Sequence, residues 1–443
     1  MLKCLSGLIF LIIFSTSCNS APSTAKRISK NLESFLGDGL RSPTNSHVFK
    51  ESMPSVSTLD DLQRLDRVHS EVVHEVVFVI RLRNMDGLTR ILHDVSDPES
   101  LNYGQHLTRD QVTNMTINIE SRDAVLHYLS SSGLAVKMVT SGGEFVIAEA
   151  PVTVLEKFFK TEFYHFEMSS ESGHNRGFVR ADSYSVPSEL DIHVESVLNI
   201  VEVPNDAHVP ILEPKTRSES FKTSGTSSIN PATLRSFYNM SVKATGTSKS
   251  TQMVYAAIKQ YFSPSDLRSF QIMTSSTVLA ATSIGSHSSD SVCASSPDSC
   301  LEGNLDIQYI MAMSPGSATT FWYSESGFTA WMVAVSNYVP LPLVISISYG
   351  YDEIYNTKAM SDAFNMIAIK LSVMGTTILV ASGDDGANSR KVRGKKYSLC
   401  GYMPDFPSVN PYITAVGATS VRHVNKYAVQ PSYSRLLNKL ILT

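Results

Sequence analysis

"LVASGDDGANS", Leu379–Ser389, is an apolar strand that runs directly into two acids, Asp384 and Asp385, set between glycines. Carboxylates at the mouth of a buried strand are costly to desolvate unless the fold uses them. The surrounding chain shows what kind of strand this is. Upstream stands "LVISISY", Leu343–Tyr349, apolar on both faces, followed by a long helical pattern over Lys358–Met374 and the buried strand Thr377–Ala381. Gln252–Ile258, Ala318–Tyr323 and Tyr412–Val416 also read as strands, and Leu301–Met313 and Phe328–Ser336 as helices. Continuous apolar strands with helical crossovers predict an α/β fold: a parallel sheet with helices on both faces. In such sheets sites lie beyond the carboxyl ends of the strands, which is where Asp384 falls.

An earlier unit, about Val48 to Val203, has a different rhythm. Val76–Leu82 reads as a strand, Met85–Val95 and Arg122–Ser130 as helices, and Ala135–Thr140 and Glu144–Ala148 as strands around an "SGG" turn. Val152–Lys160 reads as a helix and Glu162–Phe166 as a strand. That order predicts a ferredoxin-like α+β unit. Residues 204–230 are rich in Pro, Ser and Thr and read as an exposed linker, open to proteolysis at Lys215, Arg217 and Lys222.

The chain has 443 residues, 42% hydrophobic and 18% charged, with net charge -4, so it is globular and long enough for two or three domains. Nothing basic enough for a nucleic-acid partner is present. The start, with Lys3 and the apolar run Leu8–Phe14, reads as a secretory signal over residues 1–20, too short to span a bilayer. No later segment is long and apolar enough to do so. The expected location is the secretory pathway, extracellular or lysosomal. An oxidising compartment makes Cys293 and Cys300 candidates for a short disulfide and leaves Cys400 odd, either a buried thiol or one lacking its partner. Asn114 and Asn239 lie in glycosylation sequons.

Two constellations could carry chemistry. Glu302 and Asp306 are four apart and share one face of an otherwise apolar helix. They are either a solvated edge or an acid/base pair whose proton affinities are pushed apart by proximity. Asp384 is either part of a tight turn or a carboxyl that, when protonated, donates to a developing oxyanion. His287 has nothing local to orient it, so no Ser-His-Asp triad is visible. Metal-ligand spacing, a phosphate loop and a "GxSxG" elbow are likewise absent from the sequence.

Taken in order, several segments resemble the sedolisin family of serine-carboxyl peptidases. These are "SDPESLNYGQHLT" (Ser96–Thr108), "YSVP" (Tyr184–Pro187), "NPATLRSFYNM", "YFSPSDLRSF", "LEGNLDIQYI", "VISISYGYDE", "SGDDGA" and "FPSVNPYITAVGATS". The resemblance covers about Val48 to Ser420. It implies a ferredoxin-like pro-domain over residues 21–203 acting as an intramolecular inhibitor, the linker over 204–230, and a subtilisin-like peptidase domain over 231–443. It implies an acid-acting zymogen that takes peptide or protein substrates and removes tripeptides from free N-termini. Glu302 matches the general base, Asp306 the residue that orients it and Asp384 the oxyanion-hole acid, while Asp385 falls at a variable position. The family's nucleophile sits in a "GTSxxxP" segment well downstream of the strand Tyr412–Val416, and none lies there in this chain. The family's calcium site is also expected in that downstream region, which would hold the partner of Cys400 as well. The implied chain is incomplete and inactive on peptides. The alternative is a secreted, non-catalytic binding or regulatory fragment.

Overall fold

Met253 and Tyr255 pack into one apolar cluster and Val254 and Ala256 into another, although the four are consecutive. This strand is therefore buried on both faces, as a central strand of a covered sheet must be. In the computed structural model the described residues are 46–54, 62–168, 176–204, 229–240, 245–247, 249–384, 404–417, 419–422 and 428–431. Asp385, Cys400, the expected signal peptide and most of the linker lie outside them.

The first half contains β1 (Leu62–Arg67), β2 (Val73–Ile80), α1 (Met85–Ser96), α2 (Arg109–Thr116), α3 (Ile119–Ser131), β3 (Ala135–Val139), β4 (Phe145–Pro151), α4 (Val152–Phe159), β5 (Phe163–Met168), β6 (Arg176–Ala181) and β7 (Val194–Leu198). Its four-stranded antiparallel sheet has the order β3-β4-β2-β7. This is the ferredoxin-like α+β arrangement with one correction. The fourth position, expected for Glu162–Phe166, is taken by β7, while β5 joins β1 and β6 in a separate three-stranded sheet. Burial explains the exchange. In β7 four of five residues are buried, whereas β5 alternates buried and more exposed positions and so suits a sheet with one wet face.

The second half contains β8 (Thr251–Ala256), α5 (Pro264–Met273), β9 (Thr282–Ile284), α6 (Leu301–Met313), β10 (Ala318–Tyr323), α7 (Phe328–Asn337), β11 (Val344–Ile347), α8 (Lys358–Val373), β12 (Thr377–Ala381) and β13 (Thr414–Val416). The six strands form a parallel sheet of order β9-β10-β8-β11-β12-β13. Leu267, Ile307 and Met311 of α5 and α6 cover one face, and Trp331, Val335, Phe364 and Ile367 of α7 and α8 cover the other. From β8 the chain goes to edge strand β9 and back to β10 on one side, then to β11 and β12 on the other. The order reverses between β8 and β11, which makes a crevice at their carboxyl ends.

The first half packs on α7 and α8. Leu88, Leu92 and Val112 cluster with Ile369 and Val373. Arg109 donates to the carbonyls of Ser336 and of Tyr338, the latter at 2.8 Å, and Ser141 Oγ donates to Asn337 Oδ1 at 2.7 Å. Lys370 of α8 meets Glu144 at 2.9 Å with both side chains buried. Among the described residues no helix is long and apolar enough to cross a membrane.

Candidate active site

Three strand ends and one helix start converge at the crevice. After β8 comes Gln260, after β11 come Ser348 and Tyr349, and after β12 come Gly383 and Asp384. The helix is α6, which begins beside a disulfide between Cys293 and Cys300, seven residues apart. Gln260, almost fully buried, accepts from the Glu302 backbone N–H at 3.2 Å and donates to the Asp298 carbonyl at 3.2 Å. Gly303 lets the helix lie against the loop before it: a Cβ there would stand 2.2 Å from the Tyr261 carbonyl oxygen.

Glu302 sits in the first turn of α6, where the helix dipole favours negative charge, yet it is only 4% exposed. Burial is the main cause that pushes its carboxyl up to about 7, and the nearby charge of Asp384 pushes the same way. Asp306 lies one turn on, and Ser348 Oγ donates to its Oδ1 at 2.7 Å. Its Oδ2 is sealed from solvent and accepts no hydrogen bond. Desolvation, then the charge of Glu302, raises its proton affinity well above the carboxylate norm. Two buried carboxyls side by side are tolerable when a proton lies between them. Protonated Asp306 then donates to ionised Glu302, a bond that lowers the proton affinity of Glu302 and raises that of Asp306. The two titrate as a pair. Helix spacing shows that the acids share a face but not that the face is dry.

Asp384 is exposed at the end of β12. The preceding Gly383 has φ +82°, and a Cβ there would stand 2.1 Å from Asp405 Oδ2, so the turn needs glycine. Asp405 pairs across a short antiparallel ladder with buried Asp352. The structure thus brings Glu302, Asp306 and Asp384 together and adds Gln260, Ser348, Tyr349 and Asp405, which the sequence reading did not single out. The hydroxyl of Tyr349 is sealed from solvent without a partner, and the charges of Asp306 and then Glu302 raise its proton affinity after burial itself. His287 stacks on Tyr323 and hydrogen-bonds the Gly285 carbonyl at 2.6 Å, apart from the carboxyls. Among the described residues no group of three or more His, Cys, Asp or Glu could hold a metal ion.

Ser348→Ala tests the support of the pair. Removing the donor to a buried carboxylate is expected to lower stability by about 1–3 kcal/mol at pH 8, read from urea unfolding. An unchanged midpoint would mean that Ser348 does not hold Asp306.

Comparison with known proteins shows what the chain is similar to. Residues 60–203 match the family model described as pro-kumamolisin, activation domain. Tripeptidyl-peptidase 1 of Rattus norvegicus is 27% identical over 375 residues, covering 81% of this chain and 64% of that protein. The Homo sapiens protein of the same name is 28% identical over 376 residues, covering 80% and 63%. Over most of its length the chain is thus similar to tripeptidyl-peptidase 1, and over residues 60–203 to the activation domain of pro-kumamolisin. A solved structure, Pseudomonas sedolisin (serine-carboxyl proteinase) complexed with two molecules of pseudo-iodotyrostatin, is 23% identical with TM-score 0.37, covering 44% of this chain and 55% of that one. The chain spans slightly less than two thirds of the length of these curated relatives.

One string has the spelling expected of the nucleophile segment but not the expected place. "GTSSINP", Gly225–Pro231, precedes the whole sheet. Its end caps a helix: the Asn230 side chain accepts from the Thr233 N–H at 3.0 Å, and Pro231 opens Pro231–Phe237. Residues 225–228 lie outside the described ones.

Proposed function

We propose that this chain carries the general-base and oxyanion side of a serine-carboxyl peptidase site of the kind that releases tripeptides from free N-termini. The supporting observation is the buried carboxyl pair of Glu302 and Asp306 at the point where the strand order reverses, within the electrostatic reach of Asp384. Glu302 would take the proton of an attacking hydroxyl. Asp306 would hold Glu302 in place through the shared proton. Asp384, at the strand end, would donate to the tetrahedral oxyanion when protonated. A base poised near 7 keeps more driving force for proton transfer than one near 4.

We assign no nucleophile. Residues 417–443 hold no "GTSxxxP", and a site of this kind needs a nucleophilic hydroxyl to form an acyl-enzyme. No residue is assigned to calcium and no step runs through it. The proposed organisation is a signal peptide over 1–20, an inhibitory pro-domain over 21–203, a linker over 204–230 and a peptidase domain from 231. Secretion or lysosomal delivery would fit exposed Asn114 and Asn239 as glycan sites.

The 443-residue chain, after removal of its first half by limited proteolysis or not, is expected to release no coumarin from tripeptidyl-aminomethylcoumarin between pH 4 and 7. Release that Glu302→Ala abolishes would overturn the inactive state. Carboxyl carbon NMR tests the site: one proton should leave the pair near pH 7 in the wild type, and Asp306→Asn should move that titration. A Glu302 that titrates as an ordinary carboxyl would sink the assignment.

A further inference from the structure

The strand ends carry one more carboxylate, which takes no part in the buried pair. Glu325 stands in the loop after β10 and is exposed. Exposed glutamates ordinarily swing freely, but this one is held by groups from three loops. The Tyr323 hydroxyl donates to Glu325 Oε1. Tyr323 is itself only 8% exposed, and its oxygen accepts from the Lys259 backbone N–H, after β8, at 2.9 Å. His287, after β9, stacks on the Tyr323 ring 8° from parallel, and the Tyr261 ring centre lies 4.3 Å from that of His287. Burial, then the bond to Glu325, raises the proton affinity of the Tyr323 hydroxyl, so it stays a donor. Glu325 Oε2 has no hydrogen-bond or ion-pair partner among the described residues. A carboxylate fixed through one oxygen and open at the other is preorganised to accept from a cation.

The sheet register sets how far this group stands from the pair. Ala256 of β8 is level with Tyr323, and Tyr255 is level with Ile347 of β11. Tyr323 and Ser348 therefore leave the sheet at the same height, two strand spacings apart, roughly 10 Å. Ser348 is the donor to Asp306. A peptide lying across the strand ends covers that span with about three extended residues. If its chain begins there, it brings to Glu325 the one charged group that every unblocked peptide has, the α-ammonium.

We infer that Glu325 sets the register of a peptide in the crevice: its carboxylate holds the free N-terminal ammonium about three residues from the carboxyl pair, and Tyr323 positions that carboxylate. Resting on the peptidase reading of the crevice, this role names Glu325 as the residue that limits the substrate class to peptides with unblocked N-termini.

Ala-Ala-Phe-amide and N-acetyl-Ala-Ala-Phe-amide differ only in that ammonium. They are titrated calorimetrically into the full chain at about pH 6, where a peptide amine is protonated. The free-amine peptide should bind saturably at one site, and the acetylated one about tenfold or more weakly, the worth of one charge-assisted hydrogen bond. Glu325→Gln keeps an acceptor for Tyr323 and loses only the charge, and at an exposed position it should fold as the wild type does. It should weaken the free-amine peptide about tenfold and leave the acetylated one unchanged. Tyr323→Phe should act in the same selective way with a smaller loss. Equal binding of the two peptides, wild-type affinity of the free-amine peptide in Glu325→Gln, or a loss shared by both peptides would overturn the role of Glu325 and leave the crevice a peptide site. Binding of neither peptide would overturn the peptidase reading and this role with it.

Discussion

Replacing Lys370 by Met is expected to lower the unfolding free energy by about 3–5 kcal/mol, because removing one partner of a buried ion pair strands the other. Lys370 Nζ lies 2.9 Å from Glu144 Oε1, with the side chains 6% and 4% exposed. The other oxygen of Glu144 is sealed and has no hydrogen-bond partner, so the ammonium is its main compensation. Space is tight as well. A Cβ on Gly142 would stand 2.2 Å from Glu144 Oε2 and 2.8 Å from Lys370 Nζ. Urea unfolding followed by the fluorescence of Trp322 and Trp331 measures the loss. The pair Glu144→Leu with Lys370→Met should recover most of it, since an apolar pair of similar volume removes both charges. A loss below about 1 kcal/mol in the single variant, the range of surface pairs, would show that the contact is not dry. The pair matters because it joins the sheet of the first half to α8 of the second, two segments 226 residues apart.

Stability should be greatest in acid and fall toward neutral pH, the reverse of the usual carboxylate behaviour. The folded chain holds the Glu302 proton up to about 7, against 4.5 for the free group, because burial disfavours the charge. Between those values the folded state binds more protons than the unfolded one, so stability falls as pH rises. The contribution is complete below about pH 4.5 and is lost as pH passes 7. A shift of this size corresponds to on the order of 3 kcal/mol. Asp306, Glu51 and Glu202 are raised mainly by the same desolvation and add with the same sign. Urea midpoints from pH 4 to 8 should decline steadily, and Glu302→Gln should flatten the curve. Stability that climbs between pH 5 and 8, or an unaltered slope in the variant, would contradict the burial of the pair.

Much of the site was legible before any coordinates. Glu302 and Asp306 are four apart, and a helix of apolar neighbours can place them only on one face. Asp384 follows a strand apolar enough to be central, so it had to stand at a sheet end. Ser348 was harder: it serves Asp306 from 42 residues away, and nothing in "VISISY" marks one serine as the donor. Asp405 was harder still, since its role is to crowd Gly383 from another loop. The strand Glu162–Phe166 was recognised as a strand but expected in the wrong sheet, because pairing partners are long-range and propensity is local.

The sequence by itself determined the elements, their order and the identity of the acids, because periodicity and glycine placement act over a few residues. It also determined the family resemblance, which is a property of ordered motifs. Tertiary structure alone decided how dry those acids are, and with that their affinity for protons. It alone set Lys370 against Glu144 and Tyr323 against Glu325. Desolvation and pairing depend on which distant segments arrive in the same place, and that is settled only when the two halves pack.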